Sequence, residues 1–331
     1  MFSAVLALLA SLIWGSSDFF AGIMVRRTTL WAVVVFSQIG GLTTTGVLVL
    51  AHHHPFPASP GWQIAMITGI CGIGAIVAFY KALSIGVMSL VAPISATGIV
   101  VPIAIGVAAG DRPSPLQWLG MALALAGIVL ASLEPSERAA AGPPTSGYVA
   151  EEEAAGEDAS PAAAGGAGVR RRREASFADG GEAPVSGRSR LRKALHGRLS
   201  IVLAVVSALL IGLSYAGIAR ASAYDPYWTI FLMRATTLPL VLVALAARRP
   251  ALRLTTAAVP IIFAVGAADV VANTLYAVAS TGALLALVAA LGYLFPVVTI
   301  VLARFVLQER LTRTQQAGAA AALAGALLIL V

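Results

Sequence analysis

The feature that most constrains this chain is a run of about twenty mostly apolar residues that recurs along its whole length. A helix needs about that many residues to cross the hydrocarbon of a bilayer, and it satisfies its own backbone polar groups where no water can. Such runs lie near 2–24, 30–51, 61–82, 84–108 and 115–133, and resume near 198–219, 226–247, 255–277, 279–303 and 313–331. They predict an all-α transmembrane protein of ten helices. Of the residues, 59% are hydrophobic and only 11% charged, less than half the charged share of an ordinary soluble domain. A net charge of +7 would suggest nucleic acid as the partner of a soluble protein. Here the arginines sit mostly between apolar runs, as membrane proteins use them to set orientation, so no nucleic acid is expected. The first run contains Trp14 and Asp18, and no basic residue precedes it. It therefore reads as a retained span rather than a cleaved signal peptide. The expected location is the inner (plasma) membrane of a bacterial cell.

The two sets of five runs are copies. Tyr80-Lys-Ala-Leu-Ser-Ile-Gly86 matches Tyr276-Ala-Val-Ala-Ser-Thr-Gly282, Asp111-Arg112 matches Glu309-Arg310, and Gln117, Gly120 and Gly127 match Gln315, Gly318 and Gly325. An odd number of spans per copy forces the second to enter the membrane inverted, a plan of secondary transporters in which the site lies between the repeats near the midplane. Expected boundaries are 1–133 for the first five-helix repeat and 198–331 for the second. Between them, 134–197 is rich in Ala, Gly, Pro and Ser, acidic from Glu151 to Asp158 and basic from Arg170 to Lys193. It has few large apolar residues to offset its ordering entropy, and is expected to be a disordered linker. A tether is the plain reading; a basic arm on anionic lipid, or a basic cluster that pairs with the acidic block, is the sharper one.

With the repeat in place, the chain resembles the EamA-type transporters of the drug/metabolite transporter superfamily. The resemblance rests on Trp14-Gly15-Ser16-Ser17, Tyr80, Tyr276, Pro296, and the Glu309-Arg310-Leu311…Gln315…Gly318 run, with Arg234 in the second span of its copy. It covers everything except the insert. Gln38 stands where the first copy would match Arg234, and Asp111 where it would match Glu309. The resemblance implies transport of a small molecule and leaves the substrate open.

Ionised groups inside a membrane are costly and usually face a cavity or a partner. Asp18 shares a helical face with Ser11, Gly15 and Gly22, and Asp269 shares one with Asn273 and Tyr276. The matching positions of the first copy are Ile73, Val77 and Tyr80, so the polar stripe is single. The candidate pathway residues are Asp18, Trp14, Gln38, Arg234, Asp269, Asn273, Tyr276 and Tyr80, with Pro296 as a hinge. Either carboxylate is a candidate to take up a proton and couple transport to a gradient. Against this stands a structural pair in which Arg234 neutralises Asp18 or Asp269. For Tyr80 and Tyr276, near span ends, an interfacial belt is the competing role.

The remaining features read as structural. Gly120/Gly127 and Gly318/Gly325 suggest one close-packed seam, internal or between two copies, so a homodimer stays open. Asp111, Arg112, Glu309 and Arg310 suit ion pairing or capping at paired turns. His52-His53-His54 reads as an interfacial loop rather than a metal site, and lone Cys71 as core filler. No nucleophile, zinc or nucleotide motif stands in a supporting context, so no enzyme and no cofactor is expected. The odd-numbered connections hold Arg26, Arg27, Lys81, Arg248, Arg249, Arg253, Arg304, Arg310 and Arg313; the even-numbered ones hold Arg112 and Arg220. That excess places the odd connections and the insert in the cytoplasm, whereas the resemblance implies cytoplasmic termini. The function these features point to is alternating-access transport of a metabolite or drug-like molecule, possible proton coupling included; the alternative is a membrane scaffold or sensor that binds a partner through the insert.

Overall fold

The computed structural model describes residues 2–85, 88–133, 187–252, 254–308 and 312–330. The regular structure there is helical: α1 Phe2–Arg27, α2 Leu30–His52, α3 Gly61–Ile85, α4 Met88–Ala96, α5 Val100–Ala108, α6 Pro115–Ala131, α7 Gly187–Ser222, α8 Pro226–Arg248, α9 Ala258–Thr281, α10 Leu285–Gly292, α11 Phe295–Val306 and α12 Arg313–Leu330. These make the ten expected crossings, because α4 with α5 forms the fourth and α10 with α11 the ninth. The fourth crossing breaks at a 3-10 turn over Thr97–Ile99, and the ninth at Tyr293 and Leu294. Seven crossings are long and apolar enough to span a membrane by those measures alone; Pro93–Ala108 and Pro115–Ala131 are shorter apolar helices. The last, α12, opens with Arg313, Thr314, Gln315 and Gln316, which lower its mean hydropathy. The apolar span near 198 falls at Arg198–Ser222 as expected, but its helix α7 already begins at Gly187, inside the stretch expected to be linker. Leu191, Arg192, Lys193, Ala194 and Leu195 are good helix formers, so the helix continues before its apolar core begins. Residues 134–186, and with them the acidic block and Arg170 to Arg173, lie outside the described residues, as do Glu309 and Arg310.

Several of the repeated residues turn out to be helix caps. Ser114 Oγ accepts from Gln117 N (3.2 Å), and Gln117 Oε1 accepts from Ser114 N (2.9 Å), a capping box that starts α6. Thr312 and Gln315 make the same reciprocal pair before α12, at 3.2 and 3.1 Å. This explains why Gln117 recurs as Gln315: two orphan backbone N–H groups are satisfied in each copy. Thr29 caps α2 through Ala32 N, and Asp225 caps α8 through Trp228 N (2.7 Å). Asp111 reaches across the halves, its Oδ2 accepting from Ala286 N (2.9 Å) in the first turn of α10, a capping role of the kind its position suggests.

The halves interlock rather than sit as separate lobes. Helix α1 packs on α9, α10 and α11 of the other half, and α7 packs on α3, α4 and α5. Likewise α2 lies against α8 and α9, and α8 against α2 and α3. Hydrogen bonds follow the same inverted symmetry. Ser17 Oγ donates to Val265 O (3.0 Å), and the corresponding Ser214 Oγ donates to Thr68 O (3.1 Å). Glycines set the approach distance at several of these crossings. A Cβ on Gly69 would lie 2.8 Å from Met233 O, and one on Gly266 2.0 Å from Ser37 O, the same crossing in the two copies. The α6–α12 seam is internal and antiparallel, with Gly120 opposite Gly325 and Gly127 opposite Gly318. It is therefore occupied within one chain and is not free to bind a second copy.

These contacts predict a graded response to added methyl groups. Gly266→Ala, and Gly212→Ala with its Cβ 2.2 Å from Gly98 O, push against backbone that cannot turn aside. Each should lose about 1–3 kcal/mol, the usual cost of overpacking. Gly46→Ala, whose nearest neighbour is Phe231 at 3.8 Å, should be neutral or gain up to about 1 kcal/mol of helix propensity. Thermal unfolding of the purified variants in detergent measures this, and equal midpoints for all three would contradict the packing.

Candidate functional site

A cavity of about 780 Å³ opens where the two halves meet. Its walls come from α1, α2 and α3 of the first half and from α7, α8, α9 and Phe295 of the second. Of the candidate residues, Trp14, Asp18, Gln38, Arg234, Asp269 and Asn273 line it. Sequence numbering alone separates them by as much as 259 positions of chain (Trp14 to Asn273); the inverted packing brings them together.

At the centre stands a polar network built on Arg234. Its Nη2 pairs with the carboxylate of Asp269, and its Nη1 donates to Gln38 Oε1 (3.0 Å). Asn273 Nδ2, one turn along α9, donates to Asp269 O (2.7 Å) and to Asp269 Oδ2 (3.2 Å). Gln38 and Arg234 occupy matching positions in the two copies, 196 residues apart. Thus α2 and α8 cross with these two side chains facing each other at the axis of the inverted repeat. An arginine in both places would set two cations together, whereas Gln38 supplies an acceptor instead. Both members of the ion pair remain partly exposed to the cavity.

Asp18 differs. It is exposed on the cavity wall, and no hydrogen bond or ion pair from a described residue engages its carboxylate. Arg234 pairs with Asp269 and not with Asp18, which settles which carboxylate it neutralises. Asp18, Arg234 and Asp269 are the charged residues of the wall. With the latter two compensating each other, an ionised Asp18 leaves the cavity with excess negative charge.

The cavity extends along α1 and α2 to Val25 and Leu30, beside the α1–α2 connection. That end lies on the face where the insert joins the chain, hereafter the insert face; the opposite face carries both termini. Toward the terminal face it is closed by an aromatic cluster. Trp14 packs on Tyr215 (5.3 Å between ring centres) and Tyr276 (5.6 Å), and Tyr215 on Tyr293 (4.9 Å). Tyr276 is fully buried in this cluster, behind Trp14 and off the cavity wall. Closer to the terminal surface, His54 Nδ1 pairs with the Asp225 carboxylate, and Trp228 Nε1 donates to His54 O (3.0 Å). These contacts fasten the α2–α3 connection to the start of α8. Pro296 occupies the first turn of α11, just after the break in the ninth crossing, and its neighbour Phe295 lines the cavity. The Tyr80 side chain lies outside the described residues.

Sequence reasoning missed Tyr215, Ser17, Ser214 and Phe295. The first three were within reach: extending the repeat through the first span aligns Ser17-Asp18 with Ser214-Tyr215, which marks one symmetric contact and one asymmetric position.

The network predicts a specific mutational cycle. Arg234→Met alone strands the Asp269 charge and should cost about 3–5 kcal/mol. Adding Asp269→Asn should recover a large part of that loss. Denaturation of the two variants in detergent checks this; a double variant no more stable than Arg234→Met would show that the pair does not hold α8 to α9.

A family model described as the EamA-like transporter family matches residues 1–133 and 198–331. No curated protein matches the chain. One solved structure, described only as a crystal structure of a protein, superposes over 98% of this chain and 95% of its own with a TM-score of 0.66. At 14% identity that likeness speaks for the fold alone. The chain belongs to the EamA-like transporter family and is a multi-pass membrane transporter of the drug/metabolite type.

Proposed function

We propose that the protein is a secondary transporter that carries a small organic molecule by alternating access through this cavity. The observation that carries the reading is the position of the cavity: between inverted halves, walled by both, extended toward one face and closed toward the other. Rocking of the halves about the Gln38–Arg234 crossing exchanges the two faces, the motion that inverted repeats permit. On the insert face the described Arg27, Lys81, Arg248, Arg249, Arg304 and Arg313 outnumber Arg112 and Arg220 on the terminal face. By the positive-inside rule the insert face is cytoplasmic, so the cavity opens inward. If transport draws on the proton gradient, Asp18 is the carboxylate that serves it, because Asp269 is held by Arg234.

Single cysteines at Val34, Ile73 and Asn273, introduced into a Cys71→Ser background, test the pathway. A membrane-impermeant thiol reagent should label all three from the cytoplasmic side of inverted vesicles, and far less from the other side. Protection of all three from both sides would reject a water-accessible pathway. In proteoliposomes, Asp18→Asn should abolish gradient-driven uptake; unchanged gradient-driven uptake would remove Asp18 from coupling.

A further inference from the structure

We propose that the substrate is a small organic cation, an apolar body with one positive charge, and that Asp18 is its counter-ion. This rests on the transport reading of the same cavity and adds the chemical class of the cargo.

Arg234 is engaged on both terminal nitrogens, by Gln38 and by Asp269. An anionic substrate therefore meets a guanidinium whose partners it would have to displace, and faces Asp18 as well. The carboxylate of Asp269 is engaged by Arg234 and by Asn273. Asp18 alone among these three charged residues of the wall carries no such partner. A carboxylate within the membrane costs a few kcal/mol, about 2.5–3.5 on insertion scales, and no hydrogen bond or ion pair from a described residue offsets it here. A cation delivered into the cavity does.

The symmetry of the fold points the same way. Ser17 and Ser214 make equivalent hydrogen bonds in the two copies, so this stretch of α1 and α7 packs alike in both. The residue that follows is Asp18 in one and Tyr215 in the other. Packing at this level thus does not call for a carboxylate, since the second copy manages it with a phenol.

The surroundings favour an organic cation over an inorganic one. Trp14 lies one turn before Asp18 on the same helical face, and Tyr215 and Phe295 share the wall. Aromatic rings attract cations through their negative faces and accept apolar groups at their edges. A volume near 780 Å³ falls in the range of pockets for drug-sized molecules. A bare metal ion asks for a shell of oxygen ligands, and no cluster of three or more acidic, His or Cys side chains exists among the described residues.

The test uses the purified full chain in lipid nanodiscs and three probes that share one aromatic body: benzyltrimethylammonium, benzyl alcohol and benzenesulfonate. Binding is read by calorimetry and by thermal shift. Benzyltrimethylammonium should bind saturably, with the neutral and anionic probes weaker by at least about tenfold, the worth of one charge-assisted contact. Asp18→Asn should weaken the cation by a similar factor, and Asp18→Glu should retain most of it. Equal affinity for the three probes, a preference for benzenesulfonate, or no binding of any overturns the proposal. Should Asp18→Asn fail to fold, the charge preference of the unmodified chain still decides. Counterflow in proteoliposomes separates the two readings. Asp18-dependent binding without counterflow keeps the cation site and removes transport, whereas counterflow of benzenesulfonate alone keeps transport and removes the cation.

Discussion

Apolar side chains gain little by leaving lipid tails for a neighbouring helix, so association inside a bilayer depends on close backbone approach and on polar contacts. The rest of this structure follows from that constraint. Several crossings between the halves are set by a glycine whose Cβ position is already filled by the partner helix, as at Gly15 against Phe295 O and Gly212 against Gly98 O. Serine hydroxyls add hydrogen bonds at the same levels. Because the crossings join one half to the other, the interface between repeats is the core of the fold. The cavity at that interface is walled by helices of both halves.

The repeat is strict where packing is concerned and relaxed where chemistry is. Capping pairs, crossing glycines and the Ser17/Ser214 bonds recur in both copies. The polar wall does not. Gln38 opposes Arg234, Asp18 stands opposite a tyrosine position, and the Asp269–Asn273 face has apolar counterparts in α3. A charge repeated through the axis would face its own copy, so one half supplies the ion pair and the other the acceptor that completes it.

Much of this was legible in the chain. Hydropathy gave the crossings, and the odd count per copy gave the inversion. The spacing of Gly120, Gly127, Gly318 and Gly325 gave the seam. Other features depend on tertiary contacts that no local pattern carries. Tyr276 shares a helical face with Asp269 and Asn273, yet it lies about 10 Å beyond Asp269 along the axis, past the end of the cavity. Asp225 caps a helix in the ordinary way, but its bond to His54 joins residues 171 apart. Gln117 and Gln315 were read as a repeat and not as capping boxes, although Ser114 and Thr312, each three residues before its glutamine, complete that signature in both copies. Which carboxylate Arg234 neutralises was also open until the crossing of α8 and α9 was known.

The central claim is that the two halves exchange access to one cavity, and paired spin labels measure it most directly. One pair, at Leu30 and Arg248, reports across the insert face; another, at His53 and Ala223, reports across the terminal face. Pulsed dipolar distances in nanodiscs, with and without a bound organic cation, should change in opposite senses at the two faces. Distances that stay fixed at both faces, or that lengthen and shorten together, would contradict the account.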